Sequence, residues 1–204
     1  GGCGHEKHFD GPVWPQRGVI AVTLNYRLGP MGFVCLPQLK EEAGFTGNYG
    51  LYDQMTALKW VQHNIAAFGG DPDNITIMGQ SAGAASVQMH CQSPLTDGLF
   101  QKAVMSSGCG LGGMMSGKLE TSLAFWQEVM QRCGCENLTQ FRTLPVEKLF
   151  EVWLAAKKEI KGGAASGFPV IDGHFAVAGT PAKNIPYMAG SPSHDMAPPV
   201  LQSM

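Results

Sequence analysis

The stretch from Ile75 to Cys91 constrains this chain more than any other. Ile75-Thr76-Ile77-Met78 is a short run with β-branched residues and reads as a buried strand. It runs into Gly79-Gln80-Ser81-Ala82-Gly83, after which a helix from about Ala82 to Cys91 is expected. A chain that passes from strand to helix in so few residues must turn sharply at Ser81. Such a turn forces the serine into a strained backbone conformation, at about 1–3 kcal/mol. It also brings the residues two before and two after the serine together, and glycine at 79 and 83 removes the side chains that would collide. The small run from Ala82 to Ser86 then lets the helix lie close against a sheet.

The flanking segments suit the same architecture. Gly18 to Leu24 is a nearly continuous apolar run that reads as a strand buried on both faces of a parallel sheet. Leu51 to Phe68 is an amphipathic helix with Met55, Leu58, Val61, Ile65 and Phe68 on one face. Gly69-Gly70 stops it, and Asp71-Pro72-Asp73-Asn74 makes a turn. Ala103-Val104-Met105, within Phe100 to Ser107, suits a further strand. Strands alternating with helices argue for an α/β fold with a mostly parallel central sheet. Beyond it, Leu119 to Arg132 and Val146 to Ile160 read as two helices, and 161–167 as a flexible Gly-rich linker. A helical cap insertion over about 113–165 would account for this change of character.

Composition narrows the function classes. A net charge of −2 gives no reason to expect nucleic acid or an anionic membrane as partner. No apolar run approaches the ~20 residues of a membrane span. The six cysteines are too scattered for a disulfide framework, and Cys133-Gly134-Cys135 is too tightly spaced for a zinc pair, so no metal is expected. Eleven methionines and unpaired cysteines lean toward a reducing compartment, whereas the sequons Asn74-Ile75-Thr76 and Asn137-Leu138-Thr139 lean the other way.

A serine hydroxyl is a poor nucleophile until a base removes its proton. At a strand-to-helix turn the Ser81 hydroxyl would stand at the carboxyl end of the sheet, and the backbone N–H of Ala82 could bond an oxyanion with the positive helix end behind it. The five residues alone also fit a serine in a Gly-rich turn that binds phosphate.

The wider sequence decides between them. Asn25-Tyr26-Arg27-Leu28-Gly29-Pro30-Met31-Gly32-Phe33 resembles the type B carboxylesterase and cholinesterase-like family. So do Gly47-Asn48-Tyr49-Gly50-Leu51-Tyr52-Asp53-Gln54, its continuation through Trp60 and Asn64-Ile65, and the run from Phe68 to Thr76 that leads into the glycine-serine motif. The match is specific over about residues 8–110 and looser from 110 to 204. The resemblance implies an α/β-hydrolase fold and a serine, acid, histidine triad in that chain order. Ser81 matches the nucleophile and Ala82 the oxyanion donor after it. Gln80 stands where the family usually has glutamate, which implies altered substrate electrostatics. The family's acid follows a short strand and a glycine, and in the run from Ile185 to Met196 that position falls to Asp195. A surface-loop aspartate is the rival reading of Asp195.

The family's His-Gly-Gly-Gly loop would lie just before Gly1, and its histidine should follow the acid. His5, His8, His63, His90, His174 and His194 all precede Asp195 and read as surface or helix residues. The expectation is therefore an α/β-hydrolase segment, incomplete at both ends, of an enzyme that hydrolyses small-molecule carboxylic esters through an acyl-enzyme without a cofactor. A non-catalytic binding or adhesion protein on the same fold, and an amidase or thioesterase, are the alternatives.

Overall fold

The computed structural model describes residues 3–6, 13–108, 117–179 and 182–195. Eight helices in chain order are α1 (Val13–Gln16), α2 (Gly29–Phe33), α3 (Pro37–Ala43), α4 (Tyr49–Asn64), α5 (Ala82–Gln92), α6 (Leu119–Arg132), α7 (Leu138–Arg142) and α8 (Val146–Glu159), among the described residues. The strands are β1 (Thr76–Gln80), β2 (Lys102–Ser106), β3 (Gly117–Lys118), β4 (Val170–Ile171) and β5 (Tyr187–Gly190). They form a parallel three-stranded sheet in the order β1-β2-β5 and a parallel two-stranded piece, β3-β4.

Each strand of the larger sheet has an inner and an outer face, because successive side chains alternate. Ile77, Ala103 and Met105 point inward and are buried against Ala84, Val87 and Cys91 of α5, with Leu51, Met55 and Leu58 of α4 in the same core. Met78, Val104 and Met188 share one row of the opposite face, where Met78 is 63% and Met188 68% exposed. A second core gathers Phe125, Trp126 and Val129 of α6 with Leu149, Val152, Trp153 and Ala156 of α8. It closes over Cys35, Leu36 and Val170. Asn48 ties the two layers. Its φ of 59° turns the side chain so that Nδ2 donates to the Val170 carbonyl at 2.8 Å and Oδ1 accepts the Val170 N–H at 2.9 Å. One buried amide thereby takes both main-chain bonds that a neighbouring strand would make.

Several expectations hold and four need correction. The strands at Ile75–Met78 and Ala103–Met105 and the helix at Leu119–Arg132 are present. Gly18 to Leu24, by contrast, is not a strand. Among the described residues it pairs with no strand, and Val19, Ile20 and Val22 are between 44% and 48% exposed. A strand needs a neighbour to complete its ladder, and among the described residues β1 pairs with β2 alone; Ile20 leans instead on the turn at Gly70. Phe68 is 64% exposed rather than in the core. The chain tightens to a 3₁₀ turn over Ile65–Phe68, and three residues per turn rotate Phe68 off the face that a 3.6-residue period predicts. The supposed linker at 161–167 is packed: Ser166 is buried, accepts from Trp153 Nε1 at 2.9 Å and donates to the Gly163 carbonyl at 2.6 Å. The fourth correction concerns Gly83.

Candidate active site

Ser81 caps the N-terminus of α5 with φ 54° and ψ −118°, outside the regions that L residues favour. Three contacts hold it there. Its N–H donates to the Ser106 carbonyl at 2.9 Å, extending the β1-β2 ladder by one residue, and its carbonyl accepts from Ala85 N at 3.0 Å. A Cβ on Gly79 would fall 2.3 Å from the Gly83 carbonyl carbon, so only glycine lets the strand end pass under the helix start. The collision is one-sided, because a Cβ on Gly83 would meet nothing within 4 Å outside its own helix. The close approach needs Gly83's backbone, not its missing side chain. Gly108 plays the part expected of Gly83: a Cβ there would lie 2.2 Å from the Ser81 carbonyl oxygen.

The result is an exposed hydroxyl at the carboxyl edge of the sheet. Ala82, also exposed, is the first residue of α5, so its N–H is one of the donors the helix leaves unused. The in-register row Gln80–Ser106–Gly190 brings three strand ends to the same edge. Ser81 follows the first, Ser107 the second, and the loop that holds Asp195 the third. Asp195 is half-buried in a bend, its N–H donating to the Pro192 carbonyl at 3.2 Å.

With this geometry in view, a sequence model of the group described as "Carboxylesterase family" matches residues 2–201. The chain belongs to the carboxylesterase family. It is 39% identical to the para-nitrobenzyl esterase of Bacillus subtilis (strain 168) over 197 residues, which is 84% of this chain and 40% of that protein. It is 38% identical to the human bile salt-activated lipase over 95% of this chain and 28% of that protein. A solved thermophilic PNB esterase superposes with a TM-score of 0.82 at 35% identity, covering 94% of this chain and 41% of that one. The chain thus spans well under half the length of these relatives, and its fold is of the α/β-hydrolase type.

In this carboxylesterase-family chain the described histidines are engaged away from Ser81. His5 meets Cys3 Sγ, His63 the Lys59 carbonyl, His174 Tyr52 Oη and His194 Ser193 Oγ. His90 is buried on α5, where Nε2 meets Gln54 Oε1 at 2.9 Å. Burial, and then the nearby Lys183 ammonium, press its pKa down to about 4, so it stands neutral. The described thiols are free, and burial pushes Cys35 up to about 12, far from nucleophilic range. His8, Cys109 and Gly1-Gly2 lie outside the described residues. No group of three or more His, Cys, Asp or Glu among the described residues could hold a metal, and none of the described helices is long and apolar enough to cross a membrane.

Residue-by-residue reading missed two parts of the site. Ser107 shares the Ser81 φ of 54° at the end of the next strand, and its N–H donates to the Gly190 carbonyl at 2.8 Å. Gly108 follows it. A small-residue run directly after an apolar strand, Ser106-Ser107-Gly108, was the available signal.

Proposed function

We propose that this chain carries the nucleophile of a serine carboxylic-ester hydrolase. The observation that carries the reading is the Ser81 corner: a strained, exposed serine at a parallel strand end, seated on the N-terminus of an 11-residue helix. The esterase and lipase relatives support the same reaction class. Ser81 Oγ attacks the ester carbonyl carbon while a histidine takes its proton. The Ala82 N–H and the positive end of α5 stabilise the tetrahedral oxyanion. Collapse expels the alcohol with the histidine's proton, and water then releases the acid by the same steps. Asp195 is the acid that orients the imidazole, supported by its place on the loop after β5, at the sheet edge that Ser81 occupies. The route consumes only a small-molecule ester and water, and needs no cofactor. The helical stretch of about 113–165, of which 113–116 lie outside the described residues, is read as a cap region.

In the family's chain order the base follows the acid, and no histidine follows Asp195 within these 204 residues, so this stretch by itself is expected to be inactive. The test is a fluorophosphonate probe on the whole esterase that contains this chain, followed by peptide mapping. The label should sit on Ser81 and vanish in Ser81→Ala. A label on Ser106 or Ser107 would refute the assignment. Comparing p-nitrophenyl ester, anilide and thioester substrates separates an esterase from an amidase or thioesterase.

A further inference from the structure

The helix that starts at Ser81 rests on a buried polar chain that the reaction itself does not use. His90, Gln54 and Ser86 are 3%, 7% and 8% exposed, in a core otherwise made of aliphatic and aromatic side chains. His90 Nε2–H donates to Gln54 Oε1 at 2.9 Å. Gln54 Nε2 donates to Ser86 Oγ at 3.3 Å, and Ser86 Oγ donates to the Ala82 carbonyl at 3.1 Å. All three bonds donate in one direction, and the chain crosses from α5 to α4 and back. This order puts the proton on Nε2, and burial keeps the ring neutral, so His90 is the Nε2–H tautomer. The Phe175 ring meets His90 edge-on, with centroids 5.3 Å apart.

Buried polar groups cost free energy, the more so here because the buried His90 Nδ1 has no hydrogen-bond partner, and three apolar residues would fill this space more simply. The chain ends at the carbonyl of the residue whose N–H faces the reacting oxygen. Ser86 is four residues after Ala82, so its hydroxyl bonds back onto the first helical turn, a contact that by itself bends helices. Gln54, anchored on α4, holds that hydroxyl from the far side. We propose that His90, Gln54 and Ser86 are positioning residues that lock the first turn of α5, and so aim the Ala82 N–H at the oxyanion. This rests on Ser81 as nucleophile and Ala82 as oxyanion donor.

The test uses the whole esterase with p-nitrophenyl acetate. Ser86→Ala removes the bond to Ala82. Gln54→Met, nearly isosteric, breaks the chain without leaving a cavity. Each should lower kcat about 10-fold with KM within about twofold, because a donor displaced by part of an ångström weakens the transition state more than ground-state binding. The Gln54→Met/Ser86→Ala double variant should be no slower than the worse single one, since both break one chain. Ser86→Thr, which keeps the hydroxyl, should recover most of the rate. Gln101→Ala, which removes the side-chain acceptor of the Ile75 N–H at the strand starts, the opposite end of the sheet from Ser81, should lower the thermal midpoint and leave kcat unchanged. The rate of fluorophosphonate labelling of the folded fraction reads the same effect in a variant too unstable for steady-state assay. If Ser86→Ala and Gln54→Met lower only the thermal midpoint and keep kcat within twofold, the chain is a packing feature and the proposal falls. If Ser81→Ala keeps its turnover, the underlying assignment has failed instead, whatever the relay variants do.

Discussion

The turn after β1 and the turn after β2 each place a serine at φ 54° directly beyond the last strand residue, and those last residues, Gln80 and Ser106, are register partners. From there the two diverge. Ser81 is exposed and opens onto α5, whereas Ser107 is half-buried and leads into Gly108, which passes beneath the Ser81 carbonyl. The same positive φ therefore accompanies unequal surroundings. A positive φ marks a place where surrounding contacts over-determine the chain. On the proposed reading, what sets Ser81 apart as the nucleophile is the helix behind it, with its unused N–H groups and its dipole. The second turn acts as the wedge on which the first is seated.

Removing each hydroxyl should break that symmetry most. In the whole protein, if it is the proposed serine esterase, Ser81→Ala should lower kcat by about 10⁶-fold, as loss of a serine nucleophile does elsewhere. Ser107→Ala should leave a fluorophosphonate label on Ser81 at full stoichiometry. Equal labelling losses in the two variants would erase the distinction.

The third strand end extends the comparison. Asp195→Asn should cost about 10⁴-fold in kcat at an unchanged thermal midpoint, by favouring the wrong imidazole tautomer. Asp172 is the contrasting aspartate. Its Oδ1 accepts the N–H groups of His174 and Ala176, at 3.0 and 2.8 Å, so it holds a turn. Asp172→Asn should lower the thermal midpoint and spare kcat. The reverse pattern would mean the acid has been misplaced.

The glycines sharpen the picture at smaller scale. Gly79→Ala and Gly108→Ala each drive a methyl into backbone at 2.3 and 2.2 Å. Backbone cannot swing aside as a side chain can, so each should destabilise by about 3 kcal/mol or more in urea unfolding. Gly83→Ala meets open space in the first turn of α5. It should be neutral, or stabilise by up to about 1 kcal/mol through helix propensity and reduced unfolded-state freedom.

These glycines also show where sequence reading succeeds. The corner at Ser81 and the helix at Leu119–Arg132 follow from local pattern, whereas the strand before Asp195 follows from the family resemblance. Gly83 stands inside the recognisable motif, yet the clearance the motif suggests for it belongs to Gly79 and to Gly108, the latter 25 residues further along the chain. Gly18 to Leu24 has strand composition, yet pairing is a property of two segments and cannot be read from one. Phe68 fell out of phase because a 3₁₀ turn changes the period that the expectation assumed. The Gly-rich 161–167 looks flexible only until Trp153 supplies the hydrogen bond that pins Ser166. The His90–Gln54–Ser86 chain joins positions 32 to 36 residues apart, through side chains with no motif of their own.

The Asn48 clamp reaches across 122 residues of sequence, and the two cores interleave in the same way. The first draws on Leu51 through Met105 and then on Phe175; the second takes Cys35 and Leu36 before turning to Phe125 through Val170. No single cut divides the chain into two pieces that each own a complete interior. Separately expressed halves, broken between the two layers, would each present a half-built interior and would need one another to fold. Co-expressed, they could assemble by fragment complementation, with the Asn48 amide as the latch. The layer that carries the serine and the layer beside it are two compartments of one cooperative unit.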